Sequence, residues 1–137
     1  MTELQAIENW LQSKLSADPT ISRYVDGRIY AGLVSSGSYP CIVYDSLDPR
    51  DIVGVGSVRI ATAAMYLVKA VGKDGFSDID PIAARIDELL HCARVDLGDG
   101  GMFSCLRDRP FSMTEPPAAG GTIYRSRGGI YRFLVHD

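Results

Sequence analysis

Residues 80–93 read DPIAARIDELLHCA, and this stretch decides how the rest of the chain is interpreted. Asp80 followed by Pro81 predicts a helix start, with an aspartate N-cap and proline at the first helical position. Apolar residues then recur at helical spacing and form one stripe: Ile82, Ile86, Leu89, Leu90 and Ala93. The pattern predicts a helix over about 80–93 that packs one side against a core.

The N-terminal segment predicts a second amphipathic helix. Its apolar residues recur at helical spacing, and Thr2 precedes them as a candidate N-cap, so we expect a helix over 3–16. These apolar residues are Leu4, Ile7, Trp10, Leu11 and Leu15. Residues 17–27 contain Asp-Pro and Asp-Gly pairs, which are typical of turns.

The remaining segments are rich in strand-forming residues. Between 58 and 72 the alanines would suit a helix, but the β-branched and aromatic residues favour a long strand with both faces mostly covered. Residues 41–44 predict a strand closed by Asp48-Pro49, with a loop or hairpin tip at 53–57. Further strands are predicted at 28–30, 102–113 and 122–136, with a loop at 115–121 and a bulge or turn at Gly128-Gly129. Gly98, Gly100 and Gly101 separate the 80–93 helix from the strand that follows it.

Two helices among hairpin-forming strands predict an α+β fold. We expect two layers, a mainly antiparallel sheet with the two helices packed on one face. The length of 137 residues suits one core, so the chain is predicted to be a single domain over 1–137.

Composition limits the classes of function. A net charge of −3 and a pI near 5.3 argue against a domain whose main task is to hold nucleic acid. The N-terminus lacks the pattern of a signal peptide and the most apolar stretch, 60–68, is too short to span a membrane, so we expect synthesis in the cytoplasm. Three widely spaced cysteines, Cys41, Cys92 and Cys105, are predicted to be reduced, buried thiols.

No motif predicts a cofactor, a metal or a catalytic centre. The Gly54/Gly56 pair lacks the third glycine and the following helix of a dinucleotide site, and the chain has no phosphate-binding P-loop. His91, Cys92, Cys105 and His136 are suitable metal ligands by type but not by spacing. A nucleophile would need His91 or His136 as its base, so a small enzyme or ligand-binding domain with a pocket at either histidine stays open as an alternative.

Arginine dominates the basic residues, and its distribution is uneven. Residues 1–99 carry a charge of −5 and residues 100–137 a charge of +2. Two segments expected to pair as a hairpin carry Arg107, Arg109, Arg125, Arg127 and Arg132. One interpretation is a basic patch that meets an acidic surface on a neighbouring copy or lines a channel through which DNA passes. The other is a solvated strand surface whose arginines pair locally with Asp108 and Glu115.

The order and spacing of these elements resemble a known family. The stretches that carry the resemblance are Gly27-Arg28-Ile29-Tyr30, Tyr39-Pro40-Cys41-Ile42-Val43-Tyr44, residues 66–71, residues 82–91 and the closing Gly128-Gly129-Ile130-Tyr131-Arg132-Phe133. Nearly the whole chain is similar to the tail completion, or tail terminator, proteins of long-tailed bacteriophages and related gene-transfer particles.

The resemblance implies a structural virion protein of the tail or neck and not an enzyme. It would form a homo-oligomeric ring, usually a hexamer, that ends the tail tube and joins it to the head connector, with DNA only passing through the lumen. Such a protein needs no cofactor or metal. Another neck protein, a head-closure or connector adaptor, is the alternative within the same particle. The candidate subunit and partner contacts are Asp48, Arg50, Asp51, Arg107, Arg109, Arg125 and Arg127.

Overall fold

A computed structural model describes residues 2–32, 34, 38–73, 75–96 and 102–136. Over these ranges the chain forms three α-helices, one 3-10 turn and six strands. The helices are α1 (Glu3–Ala17), α2 (Pro19–Val25) and α3 (Asp80–Leu90), and the 3-10 turn is Phe76–Asp78. The strands are β1 (Ile29–Ala31), β2 (Cys41–Val53), β3 (Arg59–Gly72), β4 (Arg94–Asp96), β5 (Met102–Thr114) and β6 (Arg125–His136). The α+β prediction is confirmed, but the chain has three helices where two were predicted; the predicted linker at 98–101 lies outside the described residues.

The strands form one mixed sheet in the order β1-β2-β3-β6-β5-β4. β1 runs parallel to β2, and all other neighbouring pairs are antiparallel. The last strand in the sequence, β6, lies in the middle of the sheet, between β3 and β5. The two hairpins β2–β3 and β5–β6 are therefore joined side by side through β6.

The helix boundaries follow from their caps. The Thr2 hydroxyl accepts the N–H of Gln5 at 3.2 Å, which begins α1 as predicted. The prediction of turns over 17–27 is wrong in part, because the Asp18 carboxylate accepts the N–H of Ile21 at 3.0 Å and Pro19 occupies the first turn of α2. At α3 the N-cap is Ile79, and Asp80 lies in the first turn with its carboxylate free to pair elsewhere.

The core joins the three helices to residues of five strands, β1, β2, β3, β5 and β6. Its helical members are Ile7, Leu11, Leu15, Ile21, Val25, Ile82, Ile86 and Leu90. Its strand members include Ile42, Tyr44, Ala64, Tyr66, Val68, Phe103, Cys105, Tyr131, Phe133 and Val135. Trp10 packs edge-on against Phe103 and Phe133, with ring centroids 5.3 and 6.1 Å away. A small second cluster, formed by Cys41, Val43 and Val71, lies apart from this core.

Two strand predictions need correction. β2 does not end at Asp48-Pro49 but continues to Val53, because an irregularity between Leu47 and Arg50 absorbs the proline. Gly128 is neither a bulge nor a turn: it pairs with Lys69 and Phe111 in an unbroken β6, and a Cβ at this position would collide with the Val68 carbonyl oxygen. The irregularity lies in β5 instead, between Arg107 and Arg109.

Candidate interaction surfaces

The candidate contacts Asp48, Arg50 and Asp51 lie together in the C-terminal half of β2. Asp48 adopts a positive φ of 38° at the irregularity and forms an exposed ion pair with Arg50 at 2.7 Å. Asp51 points to β3, where its carboxylate accepts the Thr62 hydroxyl at 3.0 Å. The structure therefore brings Asp48, Arg50 and Asp51 onto one exposed stretch of strand.

Beyond this stretch the β2–β3 hairpin ends in an apolar tip. The Gly54 N–H donates to the Val58 carbonyl at 2.7 Å and closes the turn. Val53, Val55, Val58 and Ile60 are all exposed, and Val55 has no cover at all. Sequence reasoning placed the tip correctly and counted residues 48–57 among the candidate contact surfaces. It did not use the apolar residues that flank Gly54 and Gly56, which are the signal of an exposed apolar patch.

The basic candidates do not form one patch. Residues on alternate positions of a strand face opposite sides of the sheet. Arg125 and Arg127 share the face of Tyr131, which is the face that carries α3, whereas Arg109 lies opposite Ile130 on the other face. Arg109 pairs with Asp108 at 3.0 Å, as the local-pairing alternative expected.

Arg107 belongs to a polar seam between α3 and the β5–β6 hairpin. Its Nε lies 3.4 Å from the Asp87 carboxylate, which also accepts the Tyr131 hydroxyl at 3.0 Å. Burial, followed by the charge of Asp87, raises the pKa of Tyr131, so the hydroxyl stays protonated and donates. The seam therefore attaches α3 to the sheet.

Arg127 closes the other end of the same seam. Its guanidinium pairs with Asp80 at 2.8 Å and stacks over the Phe76 ring, 3.8 Å from the centroid; Arg125 lies 5.7 Å from the same ring. Sequence reasoning missed Asp80, Asp87 and Phe76 as partners because they are far from the arginines along the chain. Between the two ion pairs lies an open groove of about 710 Å³, floored by small residues of α3 and by β5.

An ion pair between α3 and the start of α2 is more buried than the seam. The Arg85 guanidinium of α3 donates to both oxygens of the Asp18 carboxylate, at 2.7 and 3.1 Å. Asp18 is 7% exposed and also caps α2, so one carboxylate joins α2 to α3.

The histidines and cysteines do not assemble into a site. His91 ends α3, and its Nδ1 accepts the backbone N–H of Arg107 at 3.1 Å. Neither histidine lines the groove. Across the described ranges, no cluster of three or more His, Cys, Asp or Glu side chains could hold a metal ion. Cys41 and Cys105 are buried as predicted, but Cys92 is exposed, since it follows the helix end with a positive φ of 65°.

The sheet has two long stretches of edge with no strand beside them in the part of the chain that the structure describes. β1 pairs with β2 only at 42–44, which leaves residues 45–53, the β2 edge, open. β4 pairs with β5 only at 102–104, and the Arg107 N–H is occupied by His91. Residues 108–114, which we call the β5 edge, are open. These edges lie on opposite sides of the sheet.

Taken together, a mixed six-stranded sheet, three helices and two open strand edges among the described residues define an α+β chain. No protein-family model matches the chain, and no curated protein sequence matches it. Among solved structures, it is similar to a chain described as "Virion of native gene transfer agent (GTA) particle". The TM-score is 0.72 at 17% identity, over 96% of this chain and 98% of that chain. The two chains share a fold over almost their whole lengths. No described helix of this chain is long and apolar enough to cross a membrane.

Proposed function

We propose that this chain is a structural virion protein of a phage-like particle, acting as a single domain that terminates the tail tube. It forms a homo-oligomeric ring, a hexamer, on the end of the tube, stops polymerisation, and joins the tail to the head connector. The observation that carries the proposal is the shared fold, at a TM-score of 0.72, with a chain of a gene transfer agent virion. The resemblance of the sequence to tail terminators supports the position within the particle.

The distribution of surface groups supports a protein that assembles and does not catalyse. The apolar tip at 53–60 and the acidic stretch at 48–51 are exposed and contiguous, and large exposed apolar patches mark contact sites in proteins of this size. The arginines are divided: Arg107 and Arg127 hold α3 to the sheet, while Arg109 is exposed and pairs only with the neighbouring Asp108 among the described residues.

Electron microscopy of the purified protein mixed with tail tubes of its parent particle tests the proposal. A single ring at one end of each tube is the expected result, and it gives the symmetry directly. Rings that do not bind tubes but do bind the connector would favour the adaptor alternative. A protein that forms no ring with either partner would contradict both the terminator and the adaptor function.

Charge reversal identifies the contact surfaces. We expect Arg50→Glu or Arg109→Glu to reduce ring formation or docking, because both side chains are exposed and project from strand edges. Arg23→Glu on α2 is the matched control, since it makes the same charge change away from both edges. Unchanged assembly of the first two variants would remove these residues from the contact surface.

A further inference from the structure

The two open edges of the sheet are complementary in direction. Along the sheet, each neighbour in the series β2, β3, β6, β5 is antiparallel to the last, so β5 runs opposite to β2. The β2 edge, residues 45–53, contains three aspartates and one arginine, and the β5 edge, residues 108–114, contains one aspartate and one arginine. A second copy placed beside the first in the same orientation would therefore bring a β2 edge antiparallel against a β5 edge.

We infer that the β2 edge of one copy pairs antiparallel with the β5 edge of the next, so that the sheets of neighbouring copies become continuous. The inference rests on the proposed ring. The contact joins different patches on the two copies, and such heterologous contacts close into rings when the rotation between copies permits. Backbone hydrogen bonds from an added strand supply affinity, and side chains on alternate positions supply specificity.

Exposed apolar side chains on both edges favour the same contact. Ile52 is 40% exposed on β2, and Met113 is 46% exposed on β5. Ile52 pairs with Ala61 and Phe111 with Gly128, both on the face opposite the helices. Pairing of the edges would cover Ile52 with Phe111 or Met113 and would remove their apolar surface from water.

Prolines divide each open edge into short runs. Pro49 lies in the β2 edge and Pro110 in the β5 edge, and neither has an N–H to donate. Proline on an edge strand protects it against indiscriminate pairing. The proline-free runs are 45–48 and 50–53 on the β2 edge and 111–114 on the β5 edge. The apolar residues named above lie in 50–53 and 111–114, so these are the runs that we expect to pair.

The register also predicts how neighbouring copies are displaced. Asp45 and Arg109 lie at the same level of the sheet, through Leu67 and Ile130, and from that level the two edges run to opposite ends. For Ile52 to lie opposite Phe111 or Met113, the next copy must shift along the strands by about 26–34 Å, the length of eight or ten residues. The strands of such a ring are inclined to its axis, as strands are in closed barrels.

Disulfide trapping tests the contact in the full chain, in a Cys92→Ser background that removes the exposed native thiol. Ile52→Cys is combined with Phe111→Cys or with Met113→Cys, and the matched control combines Ile52→Cys with Ser112→Cys, since the Ser112 side chain faces the helices beside Arg127. Within one copy, positions 52 and 111 are separated by three interstrand spacings of about 4.8 Å each, too far for a disulfide. We expect a ladder of cross-linked species up to the ring size, with a cross-linked fraction about tenfold above the control.

Each outcome has one meaning, provided that thermal melts show the variants to be folded. The ladder, in either of the two matched pairs and not in the control, supports the inference. Rings visible by electron microscopy without a ladder in either matched pair would overturn edge pairing and leave the proposed function standing. Absence of both rings and ladders, with and without tail tubes, would overturn the proposed function and the inference with it.

Discussion

Asp18→Ala tests the connection between α2 and α3 because it removes two interactions of one buried carboxylate. Loss of the N-cap of α2 costs about 1 kcal/mol. Loss of the hydrogen bonds that Asp18 accepts from Arg85 costs about a further 1–2 kcal/mol. We therefore expect the free energy of unfolding to fall by about 2–3 kcal/mol, which lowers the Tm of a chain of this size by roughly 6–9 °C.

Asp18→Asn separates the two contributions, since asparagine caps helices as well as aspartate but carries no charge for Arg85. We expect its stability to lie between those of Asp18→Ala and the unsubstituted chain. The measurements are urea denaturation and thermal melts at pH 7. An Asp18→Ala variant within about 0.5 kcal/mol of the unsubstituted chain would refute the reasoning, because surface substitutions without a role fall in that range.

The same carboxylate predicts a pH dependence with a definite sign. Hydrogen bonds from Arg85 hold the pKa of Asp18 below its ordinary value of 3.8 in the folded protein. A lowered folded-state pKa stabilises the fold above the ordinary value, and this stabilisation is lost as the pH falls through the folded-state pKa. The stability difference between the unsubstituted chain and Asp18→Asn should therefore shrink in acid. A constant difference from pH 7 to pH 2 would contradict the assignment.

Two further predictions concern the sheet and the thiols. Gly128→Ala should destabilise the fold by about 1–3 kcal/mol in thermal melts, because its Cβ would collide with the backbone of β3. The control is Gly75→Ala, whose Cβ would meet no atom closer than 4.0 Å. Equal Tm values for the two variants would contradict the prediction. In a thiol-reagent titration of the native protein, only Cys92 should react promptly at pH 8, since burial raises the pKa of Cys41 to about 11 and of Cys105 to about 12. Reaction of all three thiols at similar rates would show that the core opens easily.

Local signals were sufficient for most of the elements. The 3–16 helix, the long strand over 58–72 and the strand over 102–113 are each specified by residues within the segment, through caps, apolar spacing or β-branched composition. α2 was missed because Asp-Pro is both a turn signal and a helix start, and only packing of Ile21 and Val25 into the core decides between them.

The placement of the candidate contacts could not be predicted in the same way. Whether Arg107 and Arg109 face the same side of the sheet depends on the irregularity between them, which no local residue pattern specifies. Pairing of Arg127 with Asp80 depends on where α3 crosses β6, a contact between residues 47 positions apart. The hairpin between the two arginine-bearing segments was predicted correctly, but the division of the arginines between two faces was not.

The central position of β6 has a consequence for synthesis. While the nascent chain emerges from the ribosome, β3 and β5 both lack their shared neighbour until residues 125–136 follow, so the β2–β3 hairpin and β5 cannot join into one sheet. Folding of the core therefore waits until β6 has been synthesised, and long-range pairing of this kind is intrinsically slow. A chain that stops before residue 125 leaves the edges of β3 and β5 that face β6 unpaired, and open strand edges promote aggregation.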